Sequence, residues 1–124
     1  SEVAARSAYI SETIRDYCFD EGVTIVALSQ LKRTASEDFS RSPTIHDLLG
    51  GTSMESNPSM VLLLDHSRYA IDANNESVAR TFVRFAKNRL GPPADVPIEW
   101  NFARGGLRQG MPDEEHMWPT RDDT

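Results

Sequence analysis

Three places in the chain combine residue type and spacing in ways that can do chemistry. Ser29-Gln30 directly follows the apolar run Val23-Thr24-Ile25-Val26-Ala27-Leu28. Such a run has the pattern of a strand buried on both faces, as in a parallel sheet, and ligands of open α/β sheets bind outside the carboxyl ends of the strands. Gln30 thus stands where a ligand would be met. Lys87 and Arg89 lie two residues apart in a segment read as a strand, so their side chains leave the same face, just ahead of the turn signal Gly91-Pro92-Pro93. Val61-Leu62-Leu63-Leu64-Asp65 is four apolar residues and then an acid, the form of a strand that offers an aspartate to magnesium. Many core strands end this way, and no metal ligand is assigned.

Other chemistry is excluded. There is no Gly-x-x-x-x-Gly-Lys-Ser/Thr phosphate loop; Gly50-Gly51-Thr52-Ser53 has the small residues but no lysine to supply that loop's charge. No Ser/His/Asp or Cys/His set has a spacing that suggests a nucleophile and its base. Cys18 is the single cysteine, which rules out an intrachain disulfide and a thiolate zinc site, and His46, His66 and His116 lack ligand spacing. No stretch approaches the roughly 18 apolar residues of a membrane span. The start, Ser1-Glu2-Val3, lacks the basic-then-apolar pattern of a signal peptide. A soluble, reducing, cytoplasmic setting is expected.

The formal net charge is −6, which by itself does not advertise nucleic-acid binding. Its distribution does more. Residues 80–112 carry six basic and two acidic groups, the only basic block, whereas 113–124 carry one basic and five acidic groups. A basic patch attracts phosphates even on an acidic chain, and the blander alternative is a solubilised surface strand.

The elements that must position these residues follow from periodicity. Residues 2–21 read as a helix, with Val3, Ile10, Ile14, Tyr17 and Cys18 on one side and Gly22 as its stop. The buried strand over 23–28 follows, then a polar, mobile loop over 31–43. Thr44 and Asp47 are spaced to cap a short helix, which Gly50-Gly51 breaks, and 54–57 forms a helical turn ended near Pro58. Met60–Leu64 reads as a second buried strand and Asp72–Glu76 as a turn. Val78–Arg89 pairs with the alternating Ile98, Trp100 and Phe102 as an antiparallel hairpin. An acidic, disordered tail over 109–124 is expected, with Met117 and Trp118 its apolar spot.

Val26-Ala27-Leu28-Ser29-Gln30-Leu31-Lys32-Arg33, preceded by Ile10-Ser11-Glu12-Thr13-Ile14-Arg15, resembles a strand, its following loop and its preceding helix in the DnaB-like replicative DNA helicases. Lys87-Asn88-Arg89-Leu90-Gly91-Pro92, followed by Ile98-Glu99-Trp100-Asn101-Phe102, resembles the hairpin of the same family. Between them Asp47, Leu48, Ser53 and Glu55 match a third, more eroded stretch. Order and spacing agree over residues 10–108.

The resemblance implies an α/β fold: the C-terminal part of a RecA-like P-loop ATPase sheet over residues 1–108, with a terminal antiparallel β-hairpin. It implies a part of an ATP-dependent helicase that hydrolyses ATP at the subunit interfaces of a homo-hexameric ring and translocates on single-stranded DNA. Primase or a helicase loader would be further partners. Gln30 would be the sensor of a γ-phosphate, linked to a DNA-facing loop. Lys87 and Arg89 would reach into the next subunit's nucleotide, Arg89 being the stronger candidate because guanidinium keeps its charge and binds in a planar fork. The DNA backbone would be met at Gly50, Gly51 and Thr52, where Leu49, Gly50 and Thr52 replace the family's arginine, glutamate and glycine; Lys32, Arg33 and Arg41 would share that contact. ATP and Mg²⁺ would be cofactors of the complete enzyme, neither bound by this stretch alone, which is not expected to hydrolyse ATP. The alternative is a catalytically inert RecA-like remnant that binds or regulates a helicase ring. A recombinase or circadian-type ATPase relative shares the fold but fits Ser29-Gln30-Leu31 with Lys87-x-Arg89-x-Gly91 less well.

Overall fold

The computed structural model describes residues 2–110. Helix α1 spans Glu2–Glu21, as its periodicity predicts. It stops at Gly22, whose φ of +65° only glycine adopts freely. The Val23 amide then bonds back to the Cys18 carbonyl at 3.2 Å, the closing bond of a Schellman turn. The face that packs differs from the predicted stripe. Ala4, Ser7, Ser11, Ile14 and Cys18 are half-buried, whereas Val3, Ile10 and Tyr17 are exposed. Small side chains let α1 approach backbone closely, and its neighbour is the Gly50-Gly51 bend: an added Cβ on Gly50 would lie 2.7 Å from the Ser7 hydroxyl.

The predicted buried strand over 23–28 is not one here. The segment has no strand partner and lies open, with Val26 84% and Leu28 97% exposed. A strand buried on both faces needs lateral hydrogen-bond partners and covering layers, and the described residues supply neither. Order returns at Leu31, which bridges antiparallel to Leu48. The polar stretch after it is partly structured: α2 forms at Arg33–Ser36, and Ala35 is buried.

Thr44 and Asp47 cap a single 3-10 turn, Ile45–Asp47, with the Thr44 amide donating to Asp47 Oδ2 at 2.7 Å. Gly50 and Gly51, at φ +116° and +91°, reverse the chain into α3, Ser53–Ser56. The rest is a five-stranded antiparallel sheet of β1 Met60–Leu64, β2 Ala70–Asp72, β3 Asn75–Asn88, β4 Asp95–Asn101 and β5 Gly106–Gln109. β1 is joined to β2 by a second 3-10 turn, His66–Arg68. Long β3 is the spine: β1 and β2 pair along one edge and β4 along the other, with β5 outside β4. The pairing of β3 with β4 is thus not the last element of the sheet, and Gln109, assigned to the tail by composition, belongs to β5. Residues 111–124, with Met117 and Trp118, lie outside the described residues.

β1 is buried on one face only. Val61 and Leu63 join Leu48 in the core, packed by Leu31, Ile45, Met54 and Ala86, while Met60, Leu62 and Leu64 face out. The layer over 31–58 covers one side of the sheet, so β1 alternates instead of being apolar-buried throughout. The same side of the sheet carries a charge network. Arg80 bridges Asp72 at 2.6 Å and Glu99 at 3.1 Å, Arg108 joins Glu99 at 2.8 Å, and Arg68 pairs with Asp95 at 2.8 Å while lying over the Phe82 ring. Arg80 and Arg108 of the basic block are thus engaged by carboxylates of the sheet.

Candidate functional site

The end of the 23–30 segment is fixed by backbone. The Gln30 carbonyl accepts from the Leu49 amide at 3.1 Å, and the Lys32 amide donates to the Asp47 carbonyl at 2.7 Å. With the Leu31–Leu48 bridge, these bonds tie Gln30 to the stretch that enters the Gly50-Gly51-Thr52 bend. The Gln30 side chain is exposed. The link runs through the Gln30 backbone.

The bend is held from below. Asn57 at the end of α3 accepts from Arg15 at 2.7 Å and donates to Ser11 at 2.8 Å, both on α1. His46 Nδ1 lies 2.7 Å from Glu55 Oε1, so the 3-10 turn before the bend also touches the helix after it. Asp47 organises the entry: its carboxylate takes two Arg41 bonds, at 2.7 and 2.9 Å, besides the Thr44 amide. The Arg41 guanidinium, helped by the Thr44 amide, holds the Asp47 carboxyl far below the usual carboxylate range. Sequence spacing gave the Thr44–Asp47 cap; the bidentate Arg41 partner had no local signal.

The candidate phosphate cations divide accordingly. Arg41 is committed to Asp47 and approaches Asp38 at 3.5 Å, and Arg33 pairs with Glu37 at 3.3 Å on the surface. Lys32 is exposed beside the bend. Lys87 and Arg89 converge at the other end of α3. Lys87 Nζ donates to the carbonyls of Glu55 at 2.8 Å and Ser56 at 2.9 Å, and Arg89 donates to Ser56 at 3.2 Å. Burial, and then the neighbouring Arg89 charge, press the Lys87 ammonium toward deprotonation.

A bulge explains this convergence. Val61 is opposite Lys87 but Leu62 is opposite Phe85, so Ala86 is an extra residue in β3. It puts Lys87 on the face of Val61, over α3, and Phe85 on the face of Leu62. Arg89, just past the strand, is anchored by its amide to the Ser59 carbonyl at 3.2 Å and remains exposed with Leu90.

Asp65, at the end of β1, is 1% exposed and occupied otherwise: its carboxylate accepts from Ser42 Oγ and Ser67 Oγ, each at 2.6 Å. Among the described residues no cluster of His, Cys, Asp or Glu is arranged to hold a metal ion, and no helix is long and apolar enough to cross a membrane.

Residues 2–105 match the family described as the DnaB-like helicase C terminal domain. The chain belongs to that family. Its members' domain is RecA-like, and the mixture of helices and antiparallel sheet seen here is consistent with an α/β fold. The chain is also similar to a probable replicative DNA helicase of Trieres chinensis, 27% identical over 94 residues. That similarity covers 74% of this chain and 21% of the relative, so the chain spans a small share of the relative's length. No solved structure matches the chain.

Proposed function

We propose that the chain is the C-terminal part of the motor domain of a replicative DNA helicase, a ring whose subunits hydrolyse ATP between them and move along single-stranded DNA. In this reading Gln30 senses the phosphate of its own subunit's nucleotide, the Gly50-Gly51-Thr52 bend meets the DNA backbone, and Lys87 and Arg89 serve the nucleotide of the adjoining subunit. Family membership supports the class. The observation that carries the assignment of parts is the Gln30–Leu49 backbone bond, which couples the proposed sensor to the proposed DNA loop.

The chemistry asked of each part is modest. ATP with Mg²⁺ supplies the reactive phosphate in the complete enzyme. This chain supplies a neutral donor and acceptor at Gln30, able to hydrogen-bond a phosphate oxygen and hold its orientation. Arg89 supplies fixed charge where phosphoryl oxygens become more negative, which stabilises that state more than the ground state. At the bend, glycines let DNA phosphates approach backbone amides that a side chain would shield.

The assignment of Arg89 is tested in the assembled complete protein. Arg89→Ala is expected to leave nucleotide binding intact and to lower kcat for ATP by roughly 10³-fold or more. Turnover at the wild-type level would contradict it.

A further inference from the structure

Lys87 and Arg89 hold something already. Their three bonds go to the last carbonyls of α3, the end of a helix that has unpaired oxygens and the negative pole of its dipole. α3 has four residues, too few to stand without such bracing. Its other end is the Gly50-Gly51-Thr52 bend, and both glycines are at positive φ. The finger cations and the proposed DNA loop are therefore at opposite ends of one turn of helix.

We propose that Lys87 and Arg89 are a latch on their own α3, closed while the pair has no phosphate to hold and opened when a neighbour's nucleotide draws them away. The order of the Gly50–Thr52 bend then reports the occupancy of the adjoining subunit. This proposal rests on the reading of the pair as acting in trans.

Two physical points favour release. A carbonyl offers a dipole, whereas a phosphate offers full negative charge, and hydrogen bonds between ionised partners are the stronger. The latched pair is also self-opposed: two cations share the Ser56 oxygen, and Arg89 and burial both disfavour the charged form of Lys87. A polyanion relieves that repulsion. What remains on α3 after release is Met54 in the core, the Asn57 pair to α1 and the His46–Glu55 contact, so the end of the helix loosens without losing its seat.

Amide hydrogen exchange on the complete, assembled protein tests this. Without nucleotide, a Lys87→Met and Arg89→Met double variant is expected to exchange residues 50–57 about tenfold faster than wild type, with Val78–Thr81 in β3 unchanged. A non-hydrolysable ATP analogue is expected to raise wild-type exchange at 50–57 toward the variant's level and to leave the variant as it was. Equal exchange in variant and wild type overturns the latch. A wild type that ignores the analogue, or a variant that still responds to it, overturns the switch, the latter placing the signal on Gln30. Should β3 lose protection in the double variant, Arg89→Met alone, at an exposed side chain, carries the same comparison. ATP turnover of these variants reads the trans assignment separately: wild-type turnover refutes that assignment whatever the exchange shows.

Discussion

Asp47 concentrates the polar bonds at the entry to the bend, and its charge is what makes them strong. Because its carboxyl is depressed in the folded state, the stabilisation it gives is complete above the unfolded value of about 4 and is lost as pH falls below that, toward the folded value. Unfolding of wild type and Asp47→Asn should therefore differ most at neutral pH and converge on acidification below about pH 4. A difference that does not change with pH would contradict the charged role. Gly50 has no such dependence. An alanine there is strained at φ +116° and would place its Cβ 2.9 Å from both Ser7 Cβ and Met54 Cγ. Gly51, at φ +91°, meets only Ala4 Cβ at 3.6 Å. Thermal unfolding should show Gly50→Ala destabilised by about 2–3 kcal/mol and Gly51→Ala by about 1 kcal/mol. Equal effects would mean that α1 does not press on the bend. At Gln30, replacement by alanine should keep nucleotide binding and cost roughly 10²-fold in turnover, the usual loss for one preorganised donor.

At the scale of elements, the sheet is held by ion pairs as much as by apolar contact. Arg80 is 6% exposed and joins β2 through Asp72 to β4 through Glu99. Arg80→Ala leaves Glu99 to Arg108 and Asp72 to the Asn74 amide and should cost about 1.5–3 kcal/mol in denaturant unfolding, whereas an exposed pair such as Arg33–Glu37 should contribute next to nothing. The elements themselves were largely legible. Periodicity and Gly22 bounded α1, Thr44 and Asp47 marked the 3-10 turn, and alternation found β3 and β4. The Ala86 bulge was not, because it is a property of the register between β1 and β3, set by residues some 25 positions apart in sequence. Without it Lys87 would share a face with Phe85, and the cation pair would miss α3. The packing face of α1, legible at Ile14 and Cys18, was misread at three positions for a related reason. Apolarity favours Val3, Ile10 and Tyr17, but a glycine bend selects small neighbours, and the bend is distant in the chain.

For the molecule as a whole, the apolar run over 23–28 is the clearest mismatch between sequence and surroundings. Its composition suits a central strand, yet its backbone lacks lateral partners among the described residues. A RecA-like sheet in the complete protein would provide them. Amides of Val23–Ser29 are accordingly expected to exchange quickly in a protein comprising residues 1–124 alone and to be protected in the complete assembly; equal exchange in both would contradict a central-strand role. The proposed division of labour is also legible only at this scale. Motifs suggested which residues matter, but one chain shows Lys87 and Arg89 only against their own α3, and the second position proposed for them would belong to an arrangement of subunits.

That arrangement can be read by mixing. In the proposed ring with head-to-tail interfaces, Gln30 would serve a subunit's own nucleotide and Arg89 its neighbour's, so the two lesions would fall on different sides of each interface. Gln30→Ala and Arg89→Ala helicases, each slowed roughly a hundredfold or more alone, should regain ATPase activity when their subunits are exchanged into mixed rings, to roughly a quarter of wild type for random assembly in equal amounts. Rings shown to be mixed that remain inactive would contradict the account.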